Sequence, residues 1–207
     1  MIPTVPVAHG WAEPLRAPKL SRFEQNLPLA ASVLATKGFG QVGLRELASA
    51  MGLSCGALYH HIPSKEQLLY ELIHGHYEVL MAILLPVRSP RATFRRQALA
   101  GCLQQVLEHY RAHPAGFVLA VRDRHYLSPA LLEHLQVTRA ELGTALAQII
   151  HGARAKRAIA HAVMECFEAF PLWLNSLDTD LADTARVYSE LIMRLVDTFP
   201  GGLDGQP

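Results

Sequence analysis

From about residue 26 onward, apolar positions recur every three or four residues, and no stretch shows the alternating, β-branched pattern between turn residues that marks a strand. The pattern predicts an all-α protein. Asn26 before Leu27-Pro28 can cap a first helix, whose stripe of Leu27, Ala30, Ala31, Val33 and Leu34 runs to Lys37-Gly38. A second short helix, about Gly43 to Met51, ends at Gly52, and a third begins behind Ser54, whose hydroxyl suits an N-cap. Ser64 with Gln67 forms a capping box for a long helix carrying Leu68, Leu69, Leu72, Ile73, Tyr77, Leu80, Met81 and Leu84, and Pro86 stops it.

Further helical segments follow. Phe94, Ala98, Cys102, Leu103, Val106, Leu107 and Tyr110 recur at helical spacing from 91 to 112. A shorter apolar segment runs from Phe117 to Val121, and Ser128-Pro129 opens a helix reaching about Ile150. The last two lie at about 155 to 176, bent at Pro171, and about 181 to 199. The organisation expected is a flexible proline-rich arm (1–25), a three-helix unit (26–70), a larger helical domain (71–200) and a frayed end (201–207).

Composition narrows the class. With 207 residues, 50% apolar and 18% charged, the chain can bury about 70% of its unfolded surface, so a core needs no staples. Cys55, Cys102 and Cys166 are odd in number and without a CxxC pair, which suggests neither a disulfide framework nor a zinc knuckle and points to a reducing cytoplasm. The longest wholly apolar run, Val79 to Leu85, falls far short of the roughly 20 residues of a membrane span. No apolar h-region follows a basic start, so the amino terminus does not read as a secretory signal. A net charge of +1 predicts no nucleic-acid partner by itself.

The informative stretch is LRELASAMGLSCGALYHHIPSKEQLL, residues 44 to 69. A helix-turn-helix needs a small residue where its helices cross and a glycine in the tight turn, and Ala48 and Gly52 supply them. Leu47, Met51, Leu53 and Leu58 form the buried side; Cys55, Gly56, Ala57, Tyr59 and His60 remain to face outward, small enough for close approach to a major groove.

The run from Leu27 to Leu69 resembles the DNA-binding region of TetR family repressors. The resemblance rests on Ala30-Ala31, Lys37-Gly38-Phe39, Leu47-Ala48, Met51-Gly52-Leu53-Ser54, Leu58-Tyr59-His60-His61 and Lys65-Glu66-Gln67-Leu68. It implies that Cys55 to His60 are the recognition helix and that Tyr59, His61 and Lys65 touch phosphates, Lys65 together with the amides of its helix N-terminus. With Arg45 and Ser54 the expected DNA-facing set is Arg45, Ser54, Cys55, Gly56, Ala57, Tyr59, His60, His61 and Lys65. Arg16, Lys19 and Arg22 are candidates for minor-groove contact. Family members usually carry Thr at the position of Gly43 and an aromatic at that of Ile62; the first departure removes a hydroxyl that caps a helix and binds phosphate.

The family further implies a homodimer on a pseudo-palindromic operator, released by a small ligand. Dimerisation falls to the last two helices, with Ile159, Val163, Leu191 and Leu195 as interface candidates or simple core. Leu103, Val106, Tyr110, Phe117, Val121, Met164 and Phe167, apolar and free of nearby charge, are candidates for a pocket taking a hydrophobic effector, or again core. Asp123, Arg124 and His125 form a polar triplet that either orients a ligand head group, His125 foremost, or makes a surface turn.

Other chemistries find little support. His109 and His113 have i, i+4 ligand spacing but no His-Glu-x-x-His string or cysteine pair beside them, so a solvated face is the better reading and no metal or cofactor is expected. Cys55 suits a redox switch less well than an inert small residue. No nucleophile elbow or phosphate loop suggests an enzyme. The alternative function is a small-molecule or metal sensor whose helix-turn-helix serves as a protein-interaction surface.

Overall fold

The computed structural model describes residues 21–84 and 92–151, together with 161–162, 164–169, 183, 186–188, 190–192 and 194; side chains are described for 21–84, 101–146 and those later residues. Among the described residues every regular element is helical: α1 Arg22–Lys37, α2 Leu44–Ala50, α3 Cys55–His61, α4 Lys65–Leu84, α5 Ala92–Ala112, α6 Pro114–Val118 and α7 Pro129–His151. The all-α expectation holds. Residues 164–169 are also helical, as are 186–188 and 190–192.

Local chemistry explains the boundaries. The first helix starts at Arg22 rather than after Asn26, because Ser21 caps it: Ser21 Oγ accepts from the Glu24 amide and the Glu24 carboxylate accepts from the Ser21 amide. Pro28 consequently lies inside the helix rather than in its opening turn. Asn26, released from capping, donates from Nδ2 to the Met51 carbonyl at 2.8 Å and ties α1 to the end of α2. Helix α2 ends as its glycine predicts. Gly52 has φ +62°, its amide donates to Ser49 O, and the Leu53 amide donates to Ala48 O, which is a Schellman cap. Ser54 Oγ then accepts from the Ala57 amide and starts α3.

At α4 only half of the expected capping box forms. The Gln67 amide donates to Ser64 Oγ, while the Gln67 side chain donates forward to Glu71. The stop at Pro86 and the bend at Pro171 lie outside the described residues.

One contiguous core runs through both regions: Leu34, Leu47, Met51 and Leu58 in the three-helix unit, Leu68, Leu69, Ile73 and Tyr77 along α4, and Leu103, Phe117, Leu142 and Leu146 beyond. Helix α4 packs along α7 and also meets α5 and α6, so it belongs to both halves. Helix α1 packs on α2 and on α6. The turn that follows α6, Leu119–Asp123, has π-helical hydrogen bonding.

Candidate nucleic-acid interface and effector core

Helix α3 projects from its scaffold through one buried anchor, Leu58, with Ile62 buried just past its end. Ser54, Gly56, Tyr59, His60 and His61 are exposed, Tyr59 by 55%, and Arg45 on α2 is exposed beside them. The outward face is therefore the small-and-polar face expected, except at Cys55 and Ala57. That thiol is half-buried against the core, because the first turn of α3 leans on the unit it follows. Ala57 is half-buried as well. The His61 ring stacks on Phe23 at 4.5 Å and 6°, which fixes the end of α3 against the start of α1.

Lys65 occupies a structural position. Its Nζ donates to the carbonyls of Phe39 at 2.7 Å and Val42 at 2.9 Å and sits 4.1 Å from the centre of the Phe39 ring. At most one N–H remains for a phosphate. Gly43 caps α2 without any side-chain hydrogen bond, so the hydroxyl of the family pattern has no substitute here.

In the larger region, Leu103, Val106, Tyr110, Phe117, Met164 and Phe167 are all buried, Val121 is partly so, and His125 is exposed with its ring tilted against that of Tyr126. The polar triplet does not converge: Asp123 pairs with Arg122, Arg124 reaches Glu168, and His125 faces the surface. Of the interface candidates, Leu191 is exposed together with Val187 one turn away; Ile159, Val163 and Leu195 lie outside the described residues, as do Arg16 and Lys19.

Two buried polar arrangements were not legible in the chain. Glu168, 4% exposed, accepts from Tyr77 Oη at 2.6 Å and from Arg139 Nε at 2.8 Å, and its other oxygen accepts from Arg139 at 2.7 Å. Burial, and then the Glu168 charge, raise the Tyr77 hydroxyl far above its usual value, so it remains a donor. The hydrogen bond to Glu168 holds Arg139 charged. The second arrangement is His76, 6% exposed, with Phe117 edge-on at 4.3 Å and His109 stacked at 5.7 Å. Its Nδ1 has no hydrogen-bond partner among the described residues, and Gly116 lies so close that a Cβ there would come within 2.9 Å of it. Burial, with help from His109, pushes His76 down to about 3. His109 and His113 lie 5.3 Å apart by ring centres, yet no group of three metal-ligating side chains forms among the described residues.

A short helix carrying an exposed polar face behind a glycine turn, set on a larger helical scaffold with its own apolar core, defines a helix-turn-helix protein. Residues 27–72 match the family of bacterial regulatory proteins designated tetR, and the chain carries a TetR-family DNA-binding domain. The HTH-type transcriptional repressor KstR2 of Mycobacterium tuberculosis is 33% identical over 94 residues, 44% of this chain; the chain spans 47% of that relative's length. The TetR family transcriptional regulator PfmR from Thermus thermophilus shares the fold, with a TM-score of 0.69 at 24% identity over 82% of this chain and 97% of that one. So does AibR, solved in complex with isovaleryl coenzyme A and operator DNA, with a TM-score of 0.69 at 16% identity over 84% and 98% of the two chains. The expected fold class is thus shown, and the family match falls on the stretch that carries the resemblance. Among the described residues no helix is long and apolar enough to cross a membrane.

Proposed function

We propose that this protein is a ligand-responsive transcriptional repressor that binds a pseudo-palindromic operator as a homodimer and releases it when a small hydrophobic effector binds. The exposed face of α3 carries this reading: Gly56 permits close approach, while Tyr59, His60 and His61 stand where they can meet the duplex edge. One seven-residue helix offers too few contacts for specific binding, so a second copy related by two-fold symmetry supplies the other half-site. The repressor name of KstR2 and the operator complex of AibR support the same reading.

Effector control is assigned to the buried set around Phe117, Tyr110, Val106, Leu103, Met164 and Phe167, whose apolar character suits a hydrophobic ligand. A compound that fits only a conformer with misplaced recognition helices shifts the population away from DNA. The coenzyme A thioester bound by AibR is an apolar acyl chain on a polar carrier, a ligand chemistry worth testing first.

Selection of duplexes from a random library, followed by affinity against salt, tests the function. An inverted repeat bound with a steep salt slope supports the operator-binding dimer, because released counterions follow from phosphate contacts. Failure to recover any duplex with folded, ligand-free protein favours a protein-interaction surface instead, a reading to which the uncapped Gly43 and the internally bonded Lys65 lend weight.

A further inference from the structure

The segment Arg122 to Ser128 follows α6 and is anchored to three separate parts of the DNA-binding unit. Arg122 donates from one guanidinium nitrogen to Ala35 O at 2.7 Å and from another to Leu34 O at 2.8 Å, capping the last turn of α1. The same guanidinium forms a fork with Asp123, Nε to Oδ1 at 2.9 Å and the second nitrogen to Oδ2 at 2.8 Å. The carboxylate of Asp123 is almost wholly buried and fixes the plane of the guanidinium. The Tyr126 ring lies 4.7 Å from that of Phe39, which also carries Lys65, and the Ser128 amide donates to Glu66 at 2.6 Å at the start of α4. In the other direction Arg124 contacts Glu168 at 3.5 Å and so touches the buried Tyr77–Arg139 pairing.

We propose that Arg122, held in plane by Asp123, is the residue that positions the recognition helix, and that the segment 122–128 couples the effector core to it. The role presupposes the operator-binding, effector-released regulator proposed above. The final carbonyls of a helix carry partial negative charge, and although Leu34 O also accepts from the Gly38 amide, its second lone pair and the Ala35 carbonyl let a fork-shaped cation bind both in one orientation. Helix α1 then acts as a bar. At its far end Phe23 stacks on His61 of α3, about a turn further along Asn26 holds the end of α2, and at its near end Lys37 pairs with Glu46. A shift of Arg122 is therefore delivered to both helices of the motif. Phe117, in the effector core, precedes Arg122 by five residues along a chain that passes through the π-helical turn, a conformation concentrated at functional sites.

Three full-length variants test this: Arg122→Ala, Arg122→Lys and Asp123→Asn, with far-UV circular dichroism to establish folding. Binding to the duplex selected with the wild type is measured over a salt series, and amide hydrogen exchange is followed without DNA. Arg122→Ala and Arg122→Lys are expected to weaken binding roughly tenfold, within the usual range of coupling between sites. The slope of log affinity against log salt stays at the wild-type value, because no phosphate contact is lost. Exchange quickens at residues 34–38 and through α2 and α3, while residues 103–110 keep wild-type protection. Asp123→Asn, which keeps the side-chain size and one carbonyl acceptor, shows a smaller change in the same direction and decides the matter if either Arg122 variant fails to fold. Wild-type exchange in the folded variants overturns the positioning role, and a reduced salt slope overturns it by making Arg122 a phosphate contact. A wild type that binds no duplex defeats the operator-binding function, and the exchange pattern still decides the coupling.

Discussion

Tyr77 Oη and Glu168 Oε1 meet at 2.6 Å across 91 positions of sequence, inside a largely apolar core. Helix α4, which starts at the DNA-binding unit, is thereby hydrogen-bonded to a helical stretch of the larger region, and Arg139 from α7 completes the contact. Removing Glu168 leaves the Arg139 cation, among the described residues, with the exposed Glu165. Glu168→Ala is expected to lower stability by about 3–5 kcal/mol and Tyr77→Phe by about 1–2 kcal/mol, read from urea midpoints. Equal effects would mean that the ion pair contributes no more than the hydroxyl.

His76 makes stability depend on pH. In the folded protein it is held down to about 3, whereas in the unfolded chain it titrates near 6.5. Between those values the unfolded chain binds the extra proton, so stability falls as pH drops from about 6.5, by up to about 1.4 kcal/mol per pH unit. His109, also lowered by burial and then by His113, acts in the same sense. His76→Leu should flatten the stability profile between pH 6 and 4 in thermal unfolding; a profile as steep as wild type would assign the loss to other groups.

Tyr59 and Lys65 separate binding from folding. Tyr59→Ala removes an exposed ring and should change stability by less than about 0.5 kcal/mol while weakening DNA binding. Lys65→Ala removes two charge-assisted hydrogen bonds to Phe39 and Val42 and should destabilise the fold by about 2–3 kcal/mol. Thermal midpoints recorded beside binding isotherms distinguish the two; a stable Lys65→Ala would show that the two carbonyls find water at no loss.

Gly43 can be improved. It caps α2 with φ −90° and a Cβ there meets nothing within 4 Å, so a side chain fits without strain. Gly43→Thr should stabilise the protein by about 0.5–1 kcal/mol through a capping hydroxyl and a less flexible unfolded chain. Operator affinity should rise with an unchanged salt slope, since a hydroxyl releases no counterion. A fall in affinity would mean that duplex backbone already occupies the space beside Gly43.

The helix-turn-helix was readable in the chain because its determinants are local: Ser54 caps α3, Gly52 takes positive φ, and Leu47, Met51 and Leu58 recur at helical spacing. The start of α1 was missed by a full turn, since Ser21 and Asn26 are both able caps and only the contact of Asn26 with Met51 shows which is free. The polar triplet was visible, but adjacency in sequence cannot say that its three side chains go to three different places.

By itself the sequence determined the helical class and the turn between α2 and α3, because periodicity, caps and glycine turns act within a few residues of one another. Only the tertiary structure decided that Lys65 serves Phe39 and Val42, that Glu168 pairs with Tyr77 and Arg139, and that Arg122 caps α1. Those contacts join positions 23 to 91 residues apart, and which charged side chain meets which partner depends on how the helices pack, a property that no local pattern encodes.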